Sequence, residues 1–253
     1  MHFNIKLKSK MKLIVALLLV TAFASARLIN EQNVIINPIP GGLSGVGTTT
    51  RYWDCCKPTC AWPGNVEYKT PVKACQADGV TANDPENESG CVGGQSYICT
   101  AQSGFAINSS LAYGFVAARF HGTTRNMCCS CVLFTFQPAE LAGKQMLVQV
   151  TNTGNAPETE TNLFDIAMPG SGVGYYTEGC TTQWNSDVHN WGDQYGGVNS
   201  EAECYNLPQP LWEGCAFRFK WMLGYSNPDV SFQEVECPNE LLSISGCSPI
   251  SHP

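Results

Sequence analysis

Apolar and polar residues alternate with a period of two in several short segments, the mark of strands with one face against a core. CVLFTF (131–136), KQMLVQVT (144–151), CAFRFKW (215–221) and VSFQEVEC (230–237) show it most clearly. In CAFRFKW the pattern puts Phe217, Phe219 and Trp221 on one face and Arg218 and Lys220 on the other. Helical signals are fewer. Residues 109–120 read as a short helix weakened by Gly114, and Ser200-Glu201-Ala202-Glu203 has the form of a capping box opening a short helix before Pro208. Short strands separated by long loops rich in Gly, Asn and Pro predict a β-barrel or sandwich with elaborated loops.

The first residues follow a different pattern. Lys6, Lys8, Lys10 and Lys12 precede an apolar run, LIVALLLVTAF, and then Ala24-Ser25-Ala26. A basic leader, a run of about eleven apolar residues and a small-x-small site read as a secretory signal peptide over residues 1–26. That run is too short to span a bilayer, so the product is expected to be secreted, with no membrane association. Removing residues 1–26 takes away four lysines and no acid, leaving 10 basic against 21 acidic residues and a formal charge of −11. Such a balance argues against nucleic acid and anionic surfaces and favours an uncharged partner.

All fourteen cysteines fall after the leader, from Cys55 to Cys247. An even number in a secreted chain points to seven disulfides. The three histidines beyond the leader are not closely spaced, so no metal site is expected. Residues 27–47 hold no cysteine and contain PIPGGLSGVG, which reads as a flexible lead-in. Residues 48–253 are expected to form one cross-linked domain, a monomer, with no separate carbohydrate-binding module. Asn87 in Asn-Glu-Ser and Asn108 in Asn-Ser-Ser are glycosylation sequons.

Two acids stand out by their neighbourhoods. Asp54, in RYWDCC, admits three readings: an ion pair with Arg51 or Lys57, a helix cap, or a carboxylate held by flanking disulfides for chemistry. Asp165, in NLFDIAMPGSGVG, shares a strand face with Leu163, while Phe164 and Ile166 take the other. Apolar surroundings raise a carboxyl pKa and suit a general acid; the plainer reading is a strand-end aspartate capping the 170–174 turn. A pair of carboxylates set apart by environment is what glycoside hydrolysis requires. Tyr52, Trp53, Trp62, Trp184, Trp191 and Trp212 are candidates for stacking on sugar rings, with ordinary core packing the alternative for each.

The segment TTRYWD (49–54), followed by five residues and Cys60, resembles the active-site signature of glycoside hydrolase family 45, the small secreted endoglucanases. AYGFVAA (112–118), MCCSC (127–131), LAGKQMLVQVTNTG (141–154), FDIAMPGSGVG (164–174) and VECP (235–238) extend the likeness over residues 48–247, with the number and spacing of the cysteines. The resemblance implies a mainly β fold, a six-stranded double-psi β-barrel with long disulfide-linked loops and a few short helices. It implies cleavage of internal bonds of β-1,4-glucan with inversion and without metal or cofactor. Asp54 matches the general base, Asp165 the general acid, and Tyr52 and Trp62 aromatic positions of the substrate groove. The implied bridges are Cys55–Cys180, Cys56–Cys91, Cys60–Cys128, Cys75–Cys99, Cys129–Cys247, Cys131–Cys237 and Cys204–Cys215.

Two departures from the family pattern stand near the acid. Leu163 replaces a common histidine, and Glu158 falls where an auxiliary aspartate is often found. The competing function is a non-hydrolytic, expansin-like glucan-binding and wall-loosening protein, against which the intact Asp54 segment argues. Among enzymes, preference for cellulose, mixed-linkage glucan, xyloglucan or glucomannan stays open.

Overall fold

Nine strands carry the architecture: β1 (Ser44–Tyr52), β2 (Ala74–Cys75), β3 (Tyr97–Ile98), β4 (Phe105–Ala106), β5 (Leu111–Arg119), β6 (Cys131–Phe136), β7 (Gln145–Thr153), β8 (Asn162–Ala167) and β9 (Asp229–Val235). They belong to a computed structural model that describes residues 34–66, 70–154 and 161–249. Six of them close a ring in the order β5-β7-β6-β9-β1-β8, with β8 pairing back onto β5. Two pairs, β1 with β8 and β5 with β7, run parallel, and the other four are antiparallel. This is the closed, mainly β barrel of six strands that the resemblance implies.

The barrel is filled by the inward residues of the alternating strands. Phe164 is fully buried and acts as a hub, its ring 4.8 Å from that of Phe134 and 5.1 Å from that of Phe232. Offset and edge-on aromatic contacts of this kind add to the apolar burial itself. Because Phe164 and Ile166 point inward, Asp165 between them must point out of the barrel.

Three expectations fail. Residues 109–120 are not a helix: β5 lies between β7 and β8, and Leu111–Ala118 are all buried. A strand buried on both faces loses its alternation and reads as a continuous apolar run. Gly114 leaves room for the end of the Met146 side chain, whose Cε would lie 2.4 Å from an added Cβ. Residues 215–221 are not a strand, since α2 (Trp212–Lys220) covers most of them after α1 (Glu178–Trp184) and before α3 (Asn239–Ser245). Phe217 and Trp221 are four residues apart, so a helix also brings them to one face, where their rings stack at 5.4 Å. Finally, Ser44–Gly47, assigned to the lead-in, belong to β1 and pair with β9. The chain just before is clasped too: the Leu43 N–H donates to Glu234, whose carboxylate also accepts from Arg125.

The capping box opens a 3₁₀ turn, Ala202–Asn206, in which the Glu203 carboxylate accepts from the Asn199 N–H and the Ser200 hydroxyl. The fourteen cysteines form seven disulfides, Cys55–Cys180, Cys56–Cys91, Cys60–Cys128, Cys75–Cys99, Cys129–Cys247, Cys131–Cys237 and Cys204–Cys215, the same pairs that the resemblance implies. They hold the long loops around the barrel, where few regular elements exist to do so. The leader, residues 1–26, and Glu158 lie outside the described residues.

Candidate active site

Strand β1 delivers three side chains in sequence toward one opening. Thr50, Tyr52 and Asp54 are two residues apart, so an extended backbone points them the same way. Parallel pairing sets Thr50 beside Asp165 of β8, and the Thr50 hydroxyl donates a hydrogen bond to the Asp165 carboxylate. Pairing continues past the strand ends, with the Met168 N–H bonded to the Tyr52 carbonyl and the Trp53 N–H to the Gly172 carbonyl. At Cys55 the backbone turns into the left-handed region, φ +62°, which costs a non-glycine residue about 1–2 kcal/mol. The Cys55–Cys180 and Cys56–Cys91 bridges hold that turn in place.

Helix α1 packs against the same turn. Gly179 lies so close that a Cβ there would stand 2.4 Å from the Asp54 carbonyl oxygen and 2.4 Å from Cys91 Sγ. A side chain at this position would displace the Asp54 peptide, because the helix backbone rests directly on it.

Asp54 and Asp165 line one open cleft of about 410 Å³, together with Tyr52, Trp62, Tyr175 and Tyr176. Burial lifts the Asp54 carboxyl to about 6, although Oδ1 accepts a 2.9 Å hydrogen bond from the Cys56 N–H. Burial also raises Asp165, against the opposing effect of the Thr50 hydrogen bond. Tyr52 stands near both: burial first, and then the charge of Asp54 and that of Asp165, push its phenol upward. The Tyr52 oxygen accepts from Asn152 Nδ2 at 3.1 Å, and Asn152 Oδ1 accepts from the Thr59 N–H, tying the tyrosine to the cleft wall.

The structure gives Asp54 neither of the two expected basic partners and no helix to cap. Arg51 donates to Ser226, Asn227 and Gly196 instead. Lys57 donates to the carbonyls of Pro85 and Asn87, with its ammonium 3.2 Å from the centroid of the Trp62 ring. No long helix follows Asp54, only a short 3₁₀ turn at Thr59–Ala61. Asp165 is inside a strand rather than capping the 170–174 turn. Of the aromatic candidates, Tyr52 and Trp62 line the cleft, whereas Trp53 and Trp191 are 1% exposed and cannot stack on a ligand. Trp184 and Trp212 are half-buried away from it. Asn87 is exposed, and Asn108 is half-buried with its side-chain oxygen accepting from Ser110 and Leu111.

Sequence reasoning missed Thr50, Asn152, Tyr175 and Tyr176. The alternation Thr50-Tyr52-Asp54 was a usable signal for the first. Asn152, in β7, depends on strand order, and Tyr175 and Tyr176 on which loops meet; no local pattern reports either. Among the described residues no cluster of His, Cys, Asp or Glu is placed to hold a metal ion.

Two carboxylates in one open, aromatic-walled cleft are the equipment of a glycoside hydrolase. The comparisons with known proteins agree. The family model described as glycosyl hydrolase family 45 matches residues 46–248. An endoglucanase of Phaedon cochleariae is 51% identical over 216 residues, which cover 84% of this chain and 88% of that protein. An endoglucanase of Cryptopygus antarcticus is 44% identical, over 83% of this chain and 92% of that one. The crystal structure of the cellulase from this Antarctic springtail aligns with a TM-score of 0.78 at 43% identity, covering 83% of this chain and 100% of its own. The chain belongs to glycosyl hydrolase family 45.

Proposed function

We propose that this protein is a secreted endo-β-1,4-glucanase that cleaves internal bonds of cellulose or a related β-glucan by a single, inverting displacement. The observation that carries the mechanism is the placement of Asp54 and Asp165 in one cleft, where the hydrogen bond from the Cys56 N–H favours the ionised form of Asp54. Asp54, ionised, takes a proton from water as that water attacks the anomeric carbon. Asp165, protonated, gives its proton to the departing glycosidic oxygen. The C–O bond to the leaving sugar breaks as the new one forms on the opposite face, so the anomeric centre inverts. Trp62 supplies a stacking surface for a sugar ring, and Tyr52 lies in the same cleft close to both carboxyls. Glu158 is assigned an auxiliary role on the resemblance alone.

Secretion rests on the leader and on seven disulfides, which require an oxidising compartment. A formal charge of −11 after removal of the leader suits a neutral polymer. The enzyme is expected to act as a monomer, with sugar on the exposed Asn87 sequon.

Proton NMR during early hydrolysis tests the mechanism: β-linked glucan should first release α-anomers. Asp54→Asn and Asp165→Asn should each lower turnover by about a hundredfold or more, and Glu158→Gln by less than either. Initial β-anomers would reject the single displacement. Near-full activity of Asp165→Asn would remove it as the acid, and an unmutated protein that binds glucan without releasing reducing ends would be expansin-like.

A further inference from the structure

Away from the cleft, two arginines meet without an acid. Arg51 at the end of β1 and Arg218 in α2 converge on the 225–228 turn. Arg51 Nη1 donates to the Ser226 carbonyl at 3.2 Å and to Asn227 Oδ1 at 2.8 Å, and its Nη2 donates to the Gly196 carbonyl at 3.0 Å. Arg218 donates to the Val198 carbonyl at 3.0 Å and to the Ser226 hydroxyl at 3.2 Å. Every one of these acceptors is neutral. The ion pairs formed among the described residues join Arg125 to Glu234, His189 to Asp187 and Lys220 to Glu201, and involve neither arginine. The Nε atoms of Arg51 and Arg218 are both buried and without a hydrogen-bond partner.

Carbonyl dipoles satisfy N–H groups, but they do not cancel net charge. Two cations brought together out of water repel each other and lose hydration unless a counter-charge is present. Arg218 is only 7% exposed. Burial, and then the charge of Arg51, push its guanidinium down to about 10. A guanidinium carries five N–H donors in a planar fork, so donors remain on both side chains after the bonds above. The Ser226 hydroxyl, accepting from Arg218, has its own proton to offer. The chemistry wanting here is a small negative charge with several acceptor sites.

We propose that Arg51, Arg218 and Ser226 form a binding site for a small inorganic anion, which serves as the missing counter-ion. The site lies outside the catalytic cleft but is joined to it through the chain. Arg51 immediately precedes Tyr52, and its backbone is paired in parallel register with Ile166, the neighbour of Asp165. An anion held there fastens the strand end that presents Thr50, Tyr52 and Asp54.

Thermal unfolding of the secreted protein tests this in a buffer whose only anion is a bulky organic sulfonate, with inorganic phosphate or chloride added. Once the anion exceeds its dissociation constant, each tenfold increase should raise Tm by about 3–6 °C. Ser226→Asp places a carboxylate beside the Arg218 guanidinium, on the residue whose carbonyl accepts from Arg51. It should raise Tm in the anion-free buffer and abolish the response to added anion, while leaving glucan hydrolysis intact. Arg218→Met should also abolish the response, and should it fail to fold, Ser226→Asp decides alone. A Tm for the unmutated protein that does not move with either anion overturns the proposal. So does an equal response in the unmutated protein and Ser226→Asp, which would place the anion effect elsewhere.

Discussion

Gly179→Ala is the sharpest single perturbation of the catalytic turn, because it adds one methyl group against the backbone of Asp54 without touching either carboxylate. The new Cβ would stand 2.4 Å from the Asp54 carbonyl oxygen and 2.4 Å from Cys91 Sγ. Restoring a tolerable contact of 3.0 Å requires a shift of about 0.6 Å or more. Neither neighbour is the free end of a flexible side chain: one is backbone and the other is bridged to Cys56. The displacement therefore passes to the Asp54 peptide. Misplacing a reacting group by about 1 Å costs on the order of a hundredfold in rate, so kcat on soluble β-glucan should fall about tenfold or more. Overpacking should cost about 1–3 kcal/mol, set against about 1 kcal/mol gained by alanine over glycine inside α1, so Tm should fall by only a few degrees. Gly64→Ala is the control, since nothing lies within 4 Å of its added Cβ and its backbone is not left-handed. Initial rates and thermal melts on both variants separate the effects. A Gly179→Ala enzyme with kcat within about twofold of the parent would refute the claim that this packing sets the position of Asp54.

Because burial lifts Asp54 to about 6, the folded protein holds that proton more tightly than the unfolded chain, where the value is about 3.9. Asp54 therefore lowers stability as pH rises from about 4 to about 6. The Tm gain from Asp54→Asn should be absent below that window and complete above it; a pH-independent difference would contradict the shift. The activity of the parent should be bell-shaped in pH, because the pair must hold one proton, and its acid limb, set by the base Asp54, should lie above the ordinary carboxylate range. Lys57→Met removes the ammonium from the Trp62 face, which should raise KM by about twofold to tenfold with kcat nearly unchanged, and alter Trp62 fluorescence; an unchanged KM would leave Lys57 with a merely structural role. Alkylation of the folded protein should find no free thiol, and fourteen after reduction; two or more reactive thiols before reduction would contradict the seven bridges.

Local pattern by itself determined β6 and β9, whose outward positions stay partly exposed and so keep the alternation; β7 was legible through Gln149 and Thr151 alternating with Val148 and Val150, although both of its faces are buried. It also determined the outward direction of Asp165, because Phe164 and Ile166 on either side had to point inward. The neighbourhoods of Asp54 and Asp165 marked them out, and the motifs around them carried the family resemblance. The tertiary structure decided the rest. Residues 111–119 became a strand because β7 and β8 pair with its two edges, and the burial of both of its faces erases the period that identifies a strand. Residues 215–220 became a helix because Phe217 and Trp221 satisfy a spacing of four as well as a spacing of two. Trp53 and Trp62 read alike in sequence, yet one is sealed in the interior and the other walls the cleft. The contact between Thr50 and Asp165, and the meeting of Arg51 with Arg218, join residues more than a hundred positions apart. Such pairs depend on strand register and chain crossing, and those are fixed by the closure of the whole barrel rather than by any short stretch of residues.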